Sequence, residues 1–181
     1  MPRIHITGAS GTGTTTLGAA LAARLRHPHI DADSIYWLST DLPFTTPRGR
    51  KERAILIDRL LPLRGKWVFS GSAYGWTELL EPAYDLVVFL VLDPDLRLAR
   101  LRCRETERYG ERIAAGGDMA TVSARFLDWA AAYDTAGLEQ RSRLSHEAWL
   151  EAQTAPVLRL DSSATVADLA DRVLARLGDT E

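Results

Sequence analysis

Residues Asp85–Leu92 read DLVVFLVL, an acid followed by an unbroken apolar run. Nothing in the run alternates. A strand with one wet face shows a period of two, whereas a continuous apolar stretch of strand length belongs to a strand buried on both faces. Helices must then cover both sides of its sheet. That restricts the chain to parallel α/β architectures.

The rest of the sequence agrees. Arg3–Thr7 (RIHIT), His29–Asp33 (HIDAD), Lys66–Gly71 (KWVFSG) and Pro156–Asp161 (PVLRLD) read as four further strands. Between and after them, Thr15–Leu25, Arg48–Leu63, Asp95–Gly110, Asp118–Asp134, Gly137–Gln153 and Thr165–Leu177 read as helices. Asp93 and Thr165 sit where helix caps belong. Alternating strands and helices predict a parallel sheet with helices on both faces. Ligands in such folds lie beyond the carboxyl ends of the strands. The positions to watch are therefore Gly8, Asp33, Ser70–Ser72, Asp93 and Asp161. A chain of 181 residues without repeats or linkers suits one domain.

Charge narrows the partners. The net charge of −2 leaves no electrostatic footprint for nucleic acid or a membrane surface. No apolar run approaches the ~18 residues of a membrane helix, and the chain enters a strand at once, without a signal peptide. A single cysteine, Cys103, allows no internal disulfide and fits a reducing, cytoplasmic setting. The expectation is a cytoplasmic monomer or homodimer.

The strongest chemical signal is ITGASGTGTTTLGAALA, Ile6–Ala22. It follows a strand and opens a helix. Gly8, Gly13 and Thr15 fill three of the four fixed positions of the phosphate loop G-x-x-x-x-G-K-[ST]. In such a loop, backbone N–H groups from Ser10 to Thr16 cradle phosphates at a helix N-terminus. The Thr15 hydroxyl is then the magnesium ligand. The dinucleotide fingerprint G-x-G-x-x-G fits less well: after Gly11 and Gly13 its third glycine falls on Thr16, and no Tyr-x-x-x-Lys pair exists. A merely structural glycine turn is the third reading.

Thr14 stands where the loop's lysine belongs. Losing that point charge removes several kcal/mol of transition-state stabilisation unless another cation substitutes. Nearly all the basic residues are arginine; only Lys51 and Lys66 are lysines. Arg97, Arg100, Arg104, Arg108 and Arg112 recur at helical spacing and predict a cationic stripe. Like charges at that spacing destabilise a helix by ~0.2–0.5 kcal/mol per pair, so a stripe makes sense if it meets an anion. The glycine-bounded segment YGERIAAGGD that follows reads as a mobile lid. Asp33, Tyr36, Trp37, Gly71 and Ser72 lie where an acceptor belongs. Phe44 follows Tyr36 and Trp37 in that acceptor region, Arg141 and Arg143 are candidates to reach the site from the far lid side, Arg48, Arg50 and Lys51 read as a solvated helix start, and His146 reads as structural on an exposed helix.

In GASGTGTTTLG, HIDADSIYW, KWVFSGSAYG, YDLVVFLVLDPDLRLARLRCRE and PVLRLD the chain resembles the adenylate-kinase-like small-molecule kinases of the P-loop class. Within them it is similar to the adenylate-kinase-related group labelled FlaR-like or AAA-type ATPase in bacteria. The likeness covers nearly the whole chain. It implies a three-layer α/β P-loop NTPase fold over residues 1–181, with a five-stranded parallel sheet of order 2-3-1-4-5 and a helical lid at roughly 105–145. It implies phosphates on Gly8, Ser10, Gly11, Thr12, Gly13, Thr14, Thr15 and Thr16, with Mg²⁺ on Thr15. It implies the acceptor on Asp33, and Arg100, Arg104 and Arg108 on the transferred phosphoryl group. Two departures stand out: Thr14, and Ser70–Ser72 (SGS) in place of an Asp-Gly pair whose Asp orders the magnesium waters. The expected activity is transfer of a phosphoryl group from ATP, or another nucleoside triphosphate, to a small molecule. A nucleotide-binding switch or slow ATPase is the alternative, and an NAD(P)-dependent reductase a third.

Overall fold

The computed structural model describes residues 2–78 and 80–178. Its strands are β1 (Arg3–Gly8), β2 (His29–Asp31), β3 (Trp67–Ser70), β4 (Leu86–Val91) and β5 (Val157–Asp161). They form one sheet of order β2-β3-β1-β4-β5, and every neighbouring pair is parallel. The helices are α1 (Thr14–Leu25), α2 (Ala32–Tyr36), α3 (Arg50–Leu60), α4 (Pro94–Tyr109), α5 (Ala120–Ala131), α6 (Arg143–Glu151) and α7 (Val166–Gly178). The fold class and strand order read from the sequence are those observed.

The apolar run Leu86–Val91 is the reason the sheet has two covered faces. Leu86, Val88 and Leu90 pack with Ile4, Ile6, Leu17, Leu21, Leu169 and Val173 on the side of α1 and α7. Val87 and Phe89 join Trp67, Phe69, Ile35, Trp149 and Leu150 on the other side. Each such side chain removed from water contributes ~1.5–3 kcal/mol. Gly18 lets α1 settle close to the sheet: a Cβ there would lie 2.5 Å from His29 Nε2 and 2.9 Å from Ser70 Cβ. No described helix is long and apolar enough to cross a membrane.

Four expectations change. The strand at His29 stops at Asp31, because the Asp31 carboxylate accepts from Asp33 N (2.9 Å) and caps the short helix α2 instead. The helix expected over Arg48–Leu63 runs only from Arg50 to Leu60 and fully buries none of its residues; Leu56 and Ile57 pack partly buried against the core. The stretch Gly137–Gln153 is helical only from Arg143, where Ser142 and Ser145 form a reciprocal cap. His146 is fully buried rather than exposed, its Nδ1 2.7 Å from Tyr133 Oη. The two proposed caps are present: Asp93 accepts from Asp95 N and Leu96 N, and Thr165 accepts from Asp168 N.

Candidate active site

Parallel strands deliver their carboxyl ends to one edge, and a large cleft opens there. It has a volume of about 1650 Å³, above the ~300–1,000 Å³ of a pocket for one small ligand. It has room for two ligands side by side.

The loop leaving β1 forms one wall. Gly8, Ser10, Gly11, Thr12, Gly13, Thr14, Thr15 and Thr16 all line the cleft. Gly11 and Gly13 have φ of 91° and 89°, in the left-handed region that costs other residues strain. At Gly11 a Cβ would also meet Arg97 O at 2.8 Å, whereas at Gly13 nothing lies within 4 Å, so that backbone faces open space. Thr12 turns inward: it is buried and its hydroxyl donates to Ala9 O at 2.8 Å, which closes the loop on itself. Its side chain therefore shapes the loop rather than meeting a ligand.

Thr15 does face a partner. Its hydroxyl donates to Asp31 Oδ2 at 2.6 Å. Ser70 Oγ lies 3.4 Å from the same oxygen and 2.9 Å from His29 Nε2. The loop hydroxyl and the end of β2 thus form one oxygen-rich corner. Asp31 is its centre, whereas the sequence pointed to Asp33. Among the described residues no cluster of three His, Cys, Asp or Glu side chains surrounds a metal position.

Asp33, Tyr36, Trp37, Gly71 and Ser72 also line the cleft. Burial, and then the Asp31 carboxylate, push the Asp33 carboxyl above its ordinary range, while Arg141, Trp37 and Arg104 pull it back. Tyr36 meets Trp37 and Trp76 edge-on at 4.8 and 5.6 Å. The Arg53 guanidinium lies over both Tyr36 (4.6 Å) and Trp76 (5.5 Å), with its Nε buried and unpartnered. Arg53 carries no sequence signal, since it sits in the charged half of α3. Arg48 reads as solvated but donates to Ile35 O and Trp37 O at 3.0 and 3.2 Å, strapping this wall together.

The arginine stripe is shorter than its spacing suggests. Arg100, Arg104 and Arg108 line the cleft. Arg100 donates to Ser162 O at 3.2 Å. Burial, then the neighbouring Arg108, lower the Arg104 pKa, against the pull of Glu105 and Asp33. Arg97 is 1% exposed and faces away, held by Ala130 O and Asp134 behind the loop. Arg112 lies beyond the end of α4, where Gly110 has φ 49°; it pairs with Asp118 and donates to Asp41 O at 3.1 Å. Arg108 meanwhile lies 6.0 Å from the ring centre of Phe44, which holds a φ of 60°. The YGERIAAGGD segment and the 38–48 loop therefore touch across the cleft mouth.

One cation reaches the loop between β1 and α1 from inside the cleft. Arg141 Nη2 donates to Ser10 Oγ at 2.7 Å, and its guanidinium stacks 4.6 Å from the Trp129 ring centre. Its sequence position, at the far end of the expected lid, gave only a weak pointer. Arg143 does not line the cleft.

No family model matches the chain. Solved structures of similar fold include the shikimate kinase of Bacteroides thetaiotaomicron (TM-score 0.55, 21% identity, 98% of both chains). The shikimate kinase of Acinetobacter baumannii in complex with shikimate gives a TM-score of 0.55 at 19% identity, over 100% of this chain and 95% of that one. A gluconokinase from Sinorhizobium meliloti 1021 gives 0.55 at 16% identity, over 99% and 93%. These likenesses establish the P-loop kinase fold. Among curated proteins, the uncharacterized protein YqaC of Bacillus subtilis (strain 168) is 48% identical over 171 residues, 94% of each chain. This chain belongs to the family of YqaC.

Proposed function

We propose that this protein is a cytoplasmic ATP/Mg²⁺-dependent phosphotransferase acting on a small hydroxylated acceptor, of the adenylate-kinase-related, FlaR-like type. The observation that carries the reading is a cleft of about 1650 Å³ lined by a glycine-turned loop, with the Thr15–Asp31 pair beside it. Backbone amides at the start of α1 suit phosphate oxygens. Thr15 and Asp31 offer the hard oxygen donors that Mg²⁺ takes together with phosphates, so the corner fits that ion. When bound, the ion supplies positive charge on the phosphates.

In this reading, Asp33 orients the acceptor hydroxyl and accepts its proton. The hydroxyl oxygen forms a bond to the γ-phosphorus, the bond from that phosphorus to the bridging oxygen breaks, and the electron pair leaves with ADP. Arg100, Arg104 and Arg108 neutralise charge on the transferring group. Tyr36, Trp37, Gly71 and Ser72 form the acceptor wall. The segment 105–145 acts as the lid.

The test is ADP formation from ATP and Mg²⁺ across a panel of hydroxylated acceptors. ATP that binds while no acceptor yields ADP above background would sink the kinase reading. That result would favour a nucleotide-binding switch, the reading that Thr14 in the lysine position supports. Binding of NADPH in place of ATP would remove both.

A further inference from the structure

A cleft that holds a triphosphate needs a cation at its terminal phosphate, and Thr14 is neutral and short. The three cleft-facing arginines of α4 stand on the lid side. Arg97 touches the loop through Ser10 O (3.4 Å), but its guanidinium is committed to Ala130 O and Asp134 and is sealed from the cleft.

Arg141 differs from all of these. Among the described cations lining the cleft, it alone hydrogen-bonds the phosphate loop, through Ser10 Oγ. No carboxylate pairs with it within ion-pair distance among the described residues. Its Nε is buried without a partner. A desolvated guanidinium holding one neutral hydroxyl is under-satisfied, since it carries five donors. Trp129 stacking fixes its plane, so its free donors are oriented in advance. The acid whose charge acts most on it is Asp33. Arg141 thus holds the loop at Ser10 and feels the charge of Asp33 across the cleft lining.

We infer that Arg141 replaces the missing lysine: its guanidinium binds the terminal phosphate of a nucleoside triphosphate held by the loop Gly8–Thr15, and Ser10 Oγ holds its place until the ligand arrives. The inference rests on the nucleotide-binding part of the proposed function and not on catalysis.

Isothermal titration calorimetry with MgATP and MgADP tests it. Arg141→Ala weakens MgATP about tenfold or more, the worth of a charge-assisted contact, and weakens MgADP less. Adding Thr14→Lys to Arg141→Ala restores most of the lost MgATP affinity. Thr14→Lys alone brings no gain, because the cation's place is already taken. If Arg141→Ala does not fold, Arg141→Lys serves: it keeps a charge without the fork and gives an intermediate loss, confined to MgATP. Equal weakening of MgATP and MgADP, or none, overturns the inference. So does a tenfold gain in MgATP affinity from Thr14→Lys alone. Failure to bind MgATP at all overturns it together with the nucleotide reading. Arg141-dependent MgATP binding without phosphoryl transfer leaves it standing while the kinase reading falls.

Discussion

Arg97 Nη2 donates to Asp134 Oδ2 at 2.9 Å behind the loop between β1 and α1, with the Arg97 side chain 1% exposed. The same guanidinium reaches Ser10 O and Ala130 O. It ties the loop to α4 and to the end of α5.

Asp134→Ala leaves that buried charge without its counter-ion. Removing one partner of a buried pair destabilises by about 3–5 kcal/mol. Urea unfolding should show a loss of that order. Arg112→Ala breaks the exposed pair with Asp118 and should leave the unfolding midpoint unchanged. Equal effects of the two would contradict the assignment of Arg97 to the frame.

Asp31→Asn weakens the oxygen corner at Thr15. The apparent Mg²⁺ affinity measured in the presence of ATP should fall about 10–100-fold. ATP binding measured without Mg²⁺ should change little. A wild-type Mg²⁺ response in the variant would remove Asp31 from the ion's site.

Asp33→Asn removes the proposed proton acceptor. Turnover should drop about 10²–10⁴-fold, with MgATP affinity nearly intact. Burial and the Asp31 charge raise the Asp33 pKa, and a base works only when ionised. The acidic limb of the wild-type kcat/KM profile should therefore lie above the ordinary aspartate value of about 3.9. A limb at or below that value contradicts the role.

His5 and His146 predict a pH-dependent stability. Burial lowers both to about 3. His5 is stacked between Phe69 and Tyr84 at 5.1 and 5.0 Å. In the unfolded chain each takes a proton below about pH 6.5; in the fold each stays neutral to about 3. The unfolded state thus binds more protons across that window, and stability falls as pH drops through it. At pH 5 the loss is about 2 kcal/mol per histidine. Thermal unfolding at pH 7.5 and 5 measures it, and His5→Phe should flatten the slope.

The sheet was legible because the apolar run of its inner strand β4 admits no other architecture, and the loop because its glycines and threonines sit in fixed spacing after a strand. What stayed hidden depends on where helices aim their side chains. Helical spacing put Arg97 and Arg112 in one stripe with Arg100, Arg104 and Arg108. The spacing cannot say that α5 packs over Arg97, nor that Gly110 turns the chain before Arg112. Asp31 and Asp33 are two residues apart on what read as one strand. The turn into α2 gives them different neighbours, Thr15 for one and Arg141 for the other. Arg141 and Arg53 meet the cleft only through packing between distant segments, which local periodicity does not encode.

The Thr15 hydroxyl has a single hydrogen, and Asp31 takes it. Lone pairs are all it then offers to the cleft. A phosphate oxygen, which also only accepts, gains nothing there and is left to the amides; a positive ion is drawn in. Under the proposed function, one committed proton would thus sort incoming charge by sign, giving anion and cation separate berths on the same turn of chain.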